Sequence, residues 1–381
     1  MSALTASTRP HLVHGMGTQN VTPDWPPLTL AEVDKALRGY PEAGGASALI
    51  WRSPRPLSAA GLVETRRGGR VFVKRHHQSV RSAVGLHEEH AFLAHLRRNG
   101  AAVVRVLADD EGGTALSDGE WTYEVHTVGV GDDLYRDAIS WSPFTQPGHA
   151  RAAGRALAHL HEAAHGYDAP PRTAQPLVAG FSVFASDDPF AALEQYAAER
   201  PAVAAELAER PWRADLERRH LPFHARLSPL LAELGSQWTH NDLHASNLLW
   251  HGGEVATVLD FGLCERAFAA HDLATAIERN AVEWLELDEK GAAAVHLDAA
   301  VGLVQGYQEV RRLTDAERAA LPELLALCHA DYALSEIDYF RGVTGSPRNT
   351  ELAYRYLVDH TAWFAGPVGG RFLADLRKSL G

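Results

Sequence analysis

HNDLHASNLLWHGGEVATVLDFG, residues 240–262, holds two short runs of strand-forming residues, NLLW and VATVLD, on either side of HGGE. A tight turn at Gly252-Gly253 folds the second run back along the first. Asn247 stands just before the first strand and Asp260 just after the second, so the fold-back brings both to the open end of one hairpin. Two converging oxygen ligands suit Mg²⁺, which takes one or two carboxylates and completes its shell with phosphate oxygens and water. Asp242 lies five positions before Asn247, in a loop leading to the same end, within reach of whatever the metal holds.

Singly, an Asp or Asn near a turn is a cap or turn former. Together, H-x-D-x-x-x-x-N at His240, Asp242 and Asn247, a hairpin, and D-F-G at Asp260–Gly262 match the kinase template. In that template the first Asp accepts or orients the acceptor hydroxyl proton, and the Asn and second Asp hold metal. The template also needs a strand lysine for the nucleotide phosphates and a helix glutamate to hold it. VFVK ends on Lys74; the competing reading is a solvated lysine at a strand end. Glu89 falls on the same helical face as Leu86, Leu93 and Leu96, where a carboxylate is costly unless paired. Glu88 points to solvent. A phosphate-covering loop is expected at Arg55–Gly61, with Ser58 and backbone N–H groups as contacts, although a plain turn fits that segment nearly as well.

Outward from this core, the chain divides by pattern. The segment TLAE at 29–32 reads as a helix-capping box. ALIWRS, GLVETRR, a Gly68-Gly69 turn and RVFVKRH follow as strands. A helix over 79–98 closes at Gly100, and VVRVLAD (103–109) and EWTYEVH (120–126) are expected as two more strands. Residues 28–125 therefore form an α+β nucleotide-binding lobe. Beyond it, 126–381 reads as a mostly helical lobe carrying the catalytic loop, beginning with a helix whose Ala150, Ala153, Leu157 and Leu160 line one face. Residues 1–27 form a polar extension whose composition fits disorder and a cover over the cleft equally.

The whole chain has 381 residues, 46% of them hydrophobic, and a net charge of −12. That charge disfavours nucleic acid, whose phosphates need clustered Lys and Arg. No apolar run approaches the ~18 residues needed to span a membrane. Two distant cysteines, Cys264 and Cys328, support neither a disulfide scaffold nor a zinc site, and a reduced, cytoplasmic setting is the simplest reading. The 21 histidines are scattered, which argues against a histidine-built metal centre. Oligomeric state is not readable from the sequence.

WTHNDLHASNLLW, VLDFGLCERAFAAHDLATAIE, RALAHLH and EEHAFLAHLRRNG resemble segments of the aminoglycoside phosphotransferase and choline kinase group, over roughly residues 45–365. The resemblance implies a two-lobed protein-kinase-like fold and ATP (or GTP) as co-substrate. It implies Asp242 as base or orienter, Asn247 and Asp260 as Mg²⁺ ligands, and Lys74 with Glu89 as the nucleotide-positioning pair. Tyr123–His126 would be the hinge against the purine, with Glu124 and His126 as contacts, and His240 and Asp272 would hold the loop. Two positions depart from the group's pattern: Asn241 replaces the usual Gly, and Ala245-Ser246 precede the metal Asn.

The resemblance implies a small hydroxyl-bearing acceptor and allows an aminoglycoside, choline, an amino-acid alcohol or a sugar. Glu278 in the helix after D-F-G, with Asp331, Glu336 and Asp338 further on, would suit an amine; a solvated helix face explains these acids equally well. A nucleotide-binding pseudokinase and a nucleotidyl transferase are the competing functions.

Overall fold

The structure, a computed structural model, describes residues 11–380. By contacts it comprises two units. One holds the described residues up to Gln78 with Leu107–Val128; the other holds Ser79–Val106 and the described residues from Gly129 onward.

The first unit is built on a five-stranded antiparallel sheet. Its spatial order is Ala46–Arg52, Ala59–Thr65, Arg70–His77, Trp121–Thr127, Ala115–Asp118. The Gly68-Gly69 turn closes the second hairpin, with Gly68 at φ +84°. Because side chains alternate along a strand, Val63, Val71, Val73, Tyr123 and Val125 face one side. There they pack on Val33, Ala36 and Leu37 of helix Leu30–Leu37. Each fully buried Val or Leu contributes about 1.5–3 kcal/mol. Phe72, Lys74, His76, Glu124 and His126 occupy the opposite sheet face, in the register Lys74↔Glu124 and Phe72↔His126.

Thr29 caps the helix as expected, accepting from Glu32 N at 3.3 Å. The Glu32 carboxylate takes the Thr29 hydroxyl at 2.9 Å and Arg75 Nη1 at 2.5 Å. Arg75 is 3% exposed, and a buried guanidinium draws the nearest carboxylate to it. Of the extension 1–27, residues 1–10 lie outside the described residues. Within the rest, Val13–His14 pairs with Asn20–Val21, and Trp25 stacks on His77 at 5.0 Å.

VVRVLAD is not a strand. Val103 makes an isolated bridge to Val258 in the second unit, while Leu107 N donates to Val125 O in the first, 2.7 Å. The chain passes between units here, so its apolar residues serve two cores and no single ladder. The strand beside EWTYEVH is Ala115–Asp118.

The second unit is mainly helical. Helix Ala83–Arg98 belongs to it, capped by Ser82. Helices Pro147–Ala164 and Leu297–Val310 approach at backbone distance: a Cβ on Gly154 would lie 2.1 Å from Leu303 O, and one on Gly306 would lie 1.9 Å from Arg151 O. Two short ladders interrupt the helices. Leu248–His251 pairs with Glu254–Val258 across Gly252 and Gly253, both at positive φ. Ser236–Thr239 pairs with Glu265–Phe268, a second ladder that four-residue runs did not announce. Among the described residues, no helix is long and apolar enough to cross a membrane.

Candidate active site

The loop His240–Asn247 is anchored at both ends. Thr239 pairs with Glu265, and Leu248 pairs with Val258. One step beyond the second ladder, Leu259 N donates to Asn247 O at 2.8 Å, which leaves Asp260 next in line beside Asn247.

Within the loop, buried Asp272 acts as a two-oxygen staple. Its Oδ2 accepts from His240 N at 2.8 Å and from His161 Nε2 at 3.0 Å; its Oδ1 accepts from Asn241 N at 2.8 Å. Burial pushes the Asp272 carboxyl up, but His161 and His240 outweigh it and hold the group below its ordinary range. His240 Nε2 donates to Leu259 O at 2.9 Å, and Nδ1 accepts from Asp242 N at 3.1 Å; this network fixes the tautomer. His240 thus ties the loop to the strand that delivers Asp260.

Asn241 has φ +62°. That left-handed conformation explains a Gly in related loops and is one that Asn tolerates. Here the side chain also serves as a cross-link. Its Oδ1 accepts from Thr239 Oγ1 at 2.7 Å, and its Nδ2 donates to Ala179 O at 3.0 Å and Leu263 O at 3.3 Å.

The Asp242 carboxylate meets Asn247 Nδ2 at 3.4 Å, and the same nitrogen donates to the Asp242 carbonyl at 3.0 Å. Turned this way, Asn247 directs its amide nitrogen at Asp242. Asp260 is exposed and also left-handed, at φ +59°. An amide oxygen and a carboxylate at one hairpin end are hard donors that fit Mg²⁺. Behind Asp260, Arg81 Nη2 and Arg172 Nη1 donate to Gly262 O at 3.1 and 3.0 Å. Neither arginine was foreseen from the sequence, where each reads as an ordinary surface cation.

Glu89 is 2% exposed and lies 3.6 Å from Arg172 Nη2. Glu88 is not simply solvated: Thr173 N and Oγ1 donate to it at 3.3 and 3.2 Å. In the sheet unit, the Glu124 carboxylate accepts from His76 Nε2 at 2.9 Å and His126 Nε2 at 2.6 Å. Glu124 is also in register with both Lys74 and Ala115, and the ladder to Ala115 ends there. Ser58 stands half-buried between the first two strands, close to Ser53 and Arg52 in a small cavity.

The acids further along fall into different roles. Asp331 is committed to backbone, accepting from Ser182 N, Ser182 Oγ and Val183 N at 2.5, 2.7 and 3.3 Å. Glu278 accepts from Arg279 Nη1 at 3.1 Å and His360 Nδ1 at 3.1 Å. Asp338 is half-buried, and burial raises its carboxyl despite Arg200. Glu336 is fully buried with Oε2 unpartnered, and burial pushes its carboxyl up to about 8 although Arg279 and Tyr332 oppose the shift. A perturbed acid near Asp242 is a candidate for binding a charged ligand.

A sheet unit with a strand lysine and a helical unit with an Asp–Asn–Asp hairpin define a protein-kinase-like phosphotransferase. Solved structures share this fold. An aminoglycoside phosphotransferase from Alicyclobacillus acidocaldarius aligns with TM-score 0.55 and 19% identity, over 93% of this chain and 97% of its own. A microcompartment-associated aminopropanol kinase aligns with TM-score 0.60 and 20% identity, over 93% and 100%. The chain belongs to the phosphotransferase enzyme family, whose pattern matches residues 59–313. Homoserine kinase of Gluconobacter oxydans is 31% identical over 172 residues, 45% of this chain and 47% of that protein. The homoserine kinase of Methylobacterium radiotolerans is 37% identical over 181 residues, 46% and 47%. The chain spans about half the length of the curated relatives it matches.

Proposed function

We propose that this protein transfers the γ-phosphoryl group of ATP to a hydroxyl of a small, amine-bearing acceptor. The single observation that carries the proposal is the loop–hairpin assembly. Asp242, Asn247 and Asp260 are gathered at one end of a ribbon and held there by Asp272 and His240.

In this reading Asp242 accepts a hydrogen bond from the acceptor hydroxyl and aims its oxygen at the γ-phosphorus. The new O–P bond forms as the bond to the ADP bridging oxygen breaks, and the hydroxyl proton passes through Asp242 to solvent. Asn247 and Asp260 would hold Mg²⁺, which neutralises phosphate charge when bound. Lys74 would contact the phosphates. The segment Tyr123–His126 of strand Trp121–Thr127 would meet the purine, with Glu124 and His126 as its contacts.

Glu336 supports the amine. Burial pushes its carboxyl up to about 8 against the pull of Arg279 and Tyr332, and an ammonium reaching it would favour the ionised form. Relatives named homoserine kinase and aminopropanol kinase act on hydroxyls in amine-bearing molecules, which agrees with this choice. The buried free thiols of Cys264 and Cys328 fit a reducing, cytoplasmic setting.

The test is ATP turnover against L-homoserine, 1-amino-2-propanol and a panel of hydroxylated amines and sugars, with products followed by phosphorus NMR. A phosphate ester with ADP supports the proposal. AMP joined to the acceptor would indicate nucleotidyl transfer, and nucleotide binding without any turnover would indicate a pseudokinase.

A further inference from the structure

Arg279, on helix Ala269–Ala281, is 1% exposed and lies against the loop's central acid, with Nε 3.2 Å from Asp242 Oδ1, an ion pair without hydrogen-bond geometry. A buried guanidinium is costly unless it is compensated on several sides. Here Nη1 donates to Glu278 Oε2 at 3.1 Å and to Tyr356 OH at 2.8 Å. The flat cation also lies over Trp141, 4.1 Å from the ring centroid, and over Tyr332 at 4.8 Å. Glu278 is itself fixed from behind by His360 Nδ1 at 3.1 Å.

The residue forming one plate of this box is in an unusual state. Trp141 has φ +65°, a region where a bulky side chain is strained. Such strain persists where surroundings over-determine it, commonly at functional sites. The strained turn places an indole face on Arg279, and Arg279 meets the carboxylate that faces the acceptor.

We propose that Arg279 is a positioning residue for phosphoryl transfer, with Trp141 as the plate that aims it. Its charge draws Asp242 Oδ1 while Asn247 Nδ2 and His244 Nε2 stand 3.4 and 3.6 Å from Oδ2, so that the carboxylate keeps one orientation toward the acceptor hydroxyl. Asp242 then acts by aiming the hydroxyl while the phosphoryl group is already leaving ADP, as suits a loose transition state. The assignment rests on the kinase reading given above.

The experiment measures Mg·ATP turnover by the full chain with water alone and with L-homoserine, 1-amino-2-propanol and the hydroxylated amines and sugars above, comparing wild type with Arg279→Gln, Arg279→Lys and Trp141→Gly. Loss of aim of about 1 Å costs on the order of 100-fold in rate. Arg279→Gln should therefore lower kcat by ~10- to 100-fold while KM for ATP stays within about twofold. Arg279→Lys should recover part of the loss. Trp141→Gly keeps the cation and relieves the backbone, so it tests the aim even if Arg279→Gln does not fold; its kcat should fall while its melting temperature holds. Wild-type turnover with unchanged kcat in both Arg279→Gln and Trp141→Gly would overturn the assignment, as would losses confined to KM. Absence of wild-type turnover with water and every acceptor would instead remove the kinase reading on which it stands.

Discussion

At the residue scale the loop chemistry rests on a few side chains with separable tasks. Asp242→Ala removes the hydroxyl-orienting group and leaves the Asn247–Asp260 end of the hairpin in place. Transfer should fall by ~10²- to 10⁴-fold, while nucleotide affinity, read by calorimetry, changes little. Transfer at the wild-type rate would take Asp242 out of the mechanism. Asn241 separates conformation from cross-linking. Asn241→Gly keeps the φ of +62° accessible and loses only the bonds to Thr239, Ala179 and Leu263; Asn241→Ala loses both. The expected order of melting temperature is wild type, then Gly, then Ala, with the Ala variant lower than Gly by a margin of about 1 kcal/mol. The hairpin that brings Asn247 and Asp260 to one end, with Asp242 beside Asn247, was legible because its residue types and spacing follow a strand–turn–strand pattern. Arg279, Arg81 and Arg172 were not. A cation's meaning depends on which distant groups surround it, and no local pattern records that Arg279 is enclosed by Trp141, Tyr332 and Glu278.

At the element scale, the helix Pro147–Ala164 carries His161 to Asp272, and its position is set by how closely it approaches Leu297–Val310. Gly154 and Gly306 permit that approach, since a Cβ at either would enter backbone of the facing helix. Backbone cannot step aside as a side-chain tip can. Gly154→Ala and Gly306→Ala should each destabilise by at least ~1–3 kcal/mol in denaturant titration. They should also lower kcat more than KM, because the displaced helix draws His161 away from Asp272 Oδ2. Unaltered stability in both variants would show that the helices can part at no cost. Elements with a long, regular pattern were readable: the Ala150–Leu160 face and the Arg70–His77 strand are where periodicity puts them. VVRVLAD misled because its alternation arises from two cores instead of one sheet. The ladder of Ser236–Thr239 with Glu265–Phe268 escaped notice because four residues cannot establish a period, yet it clamps the catalytic loop.

At the scale of the whole molecule, the helical unit buries titratable groups whose shifts oppose one another across pH. Burial lowers His220 to about 4 from an ordinary value of 6.5, and lowers His271, His329 and His360 as well. These rings stay neutral when folded but bind protons when unfolded below 6.5, so the unfolded state gains protons and stability falls as pH drops from 6.5 toward 4. Asp272 adds to the loss at still lower pH: its folded value is depressed, so its contribution is present above about 4 and disappears as the group protonates. Glu336 has the opposite sign. With its folded value near 8 against 4.5 unfolded, the folded state holds the extra proton between those limits, and stability falls as pH rises through that window. Glu265, pushed up to about 7 by burial, has the same sign as Glu336; below 6.5 several histidines outweigh these two glutamates, and above 6.5 the glutamates are left alone among these groups. Melting temperature should therefore peak near pH 6.5, fall steeply on the acid side, and decline gently up to pH 8. Glu336→Gln should remove the part of the decline above pH 7, where Glu265 has already lost its proton, raising the melting temperature by a few degrees at pH 8 while leaving the steep acid side in place. A Gln variant that melts below wild type at pH 8 would mean that the Glu336 carboxylate is already paired in the free protein. The buried carboxyl could then not be a vacancy for an acceptor's ammonium, and the amine-bearing substrate class would lose its support.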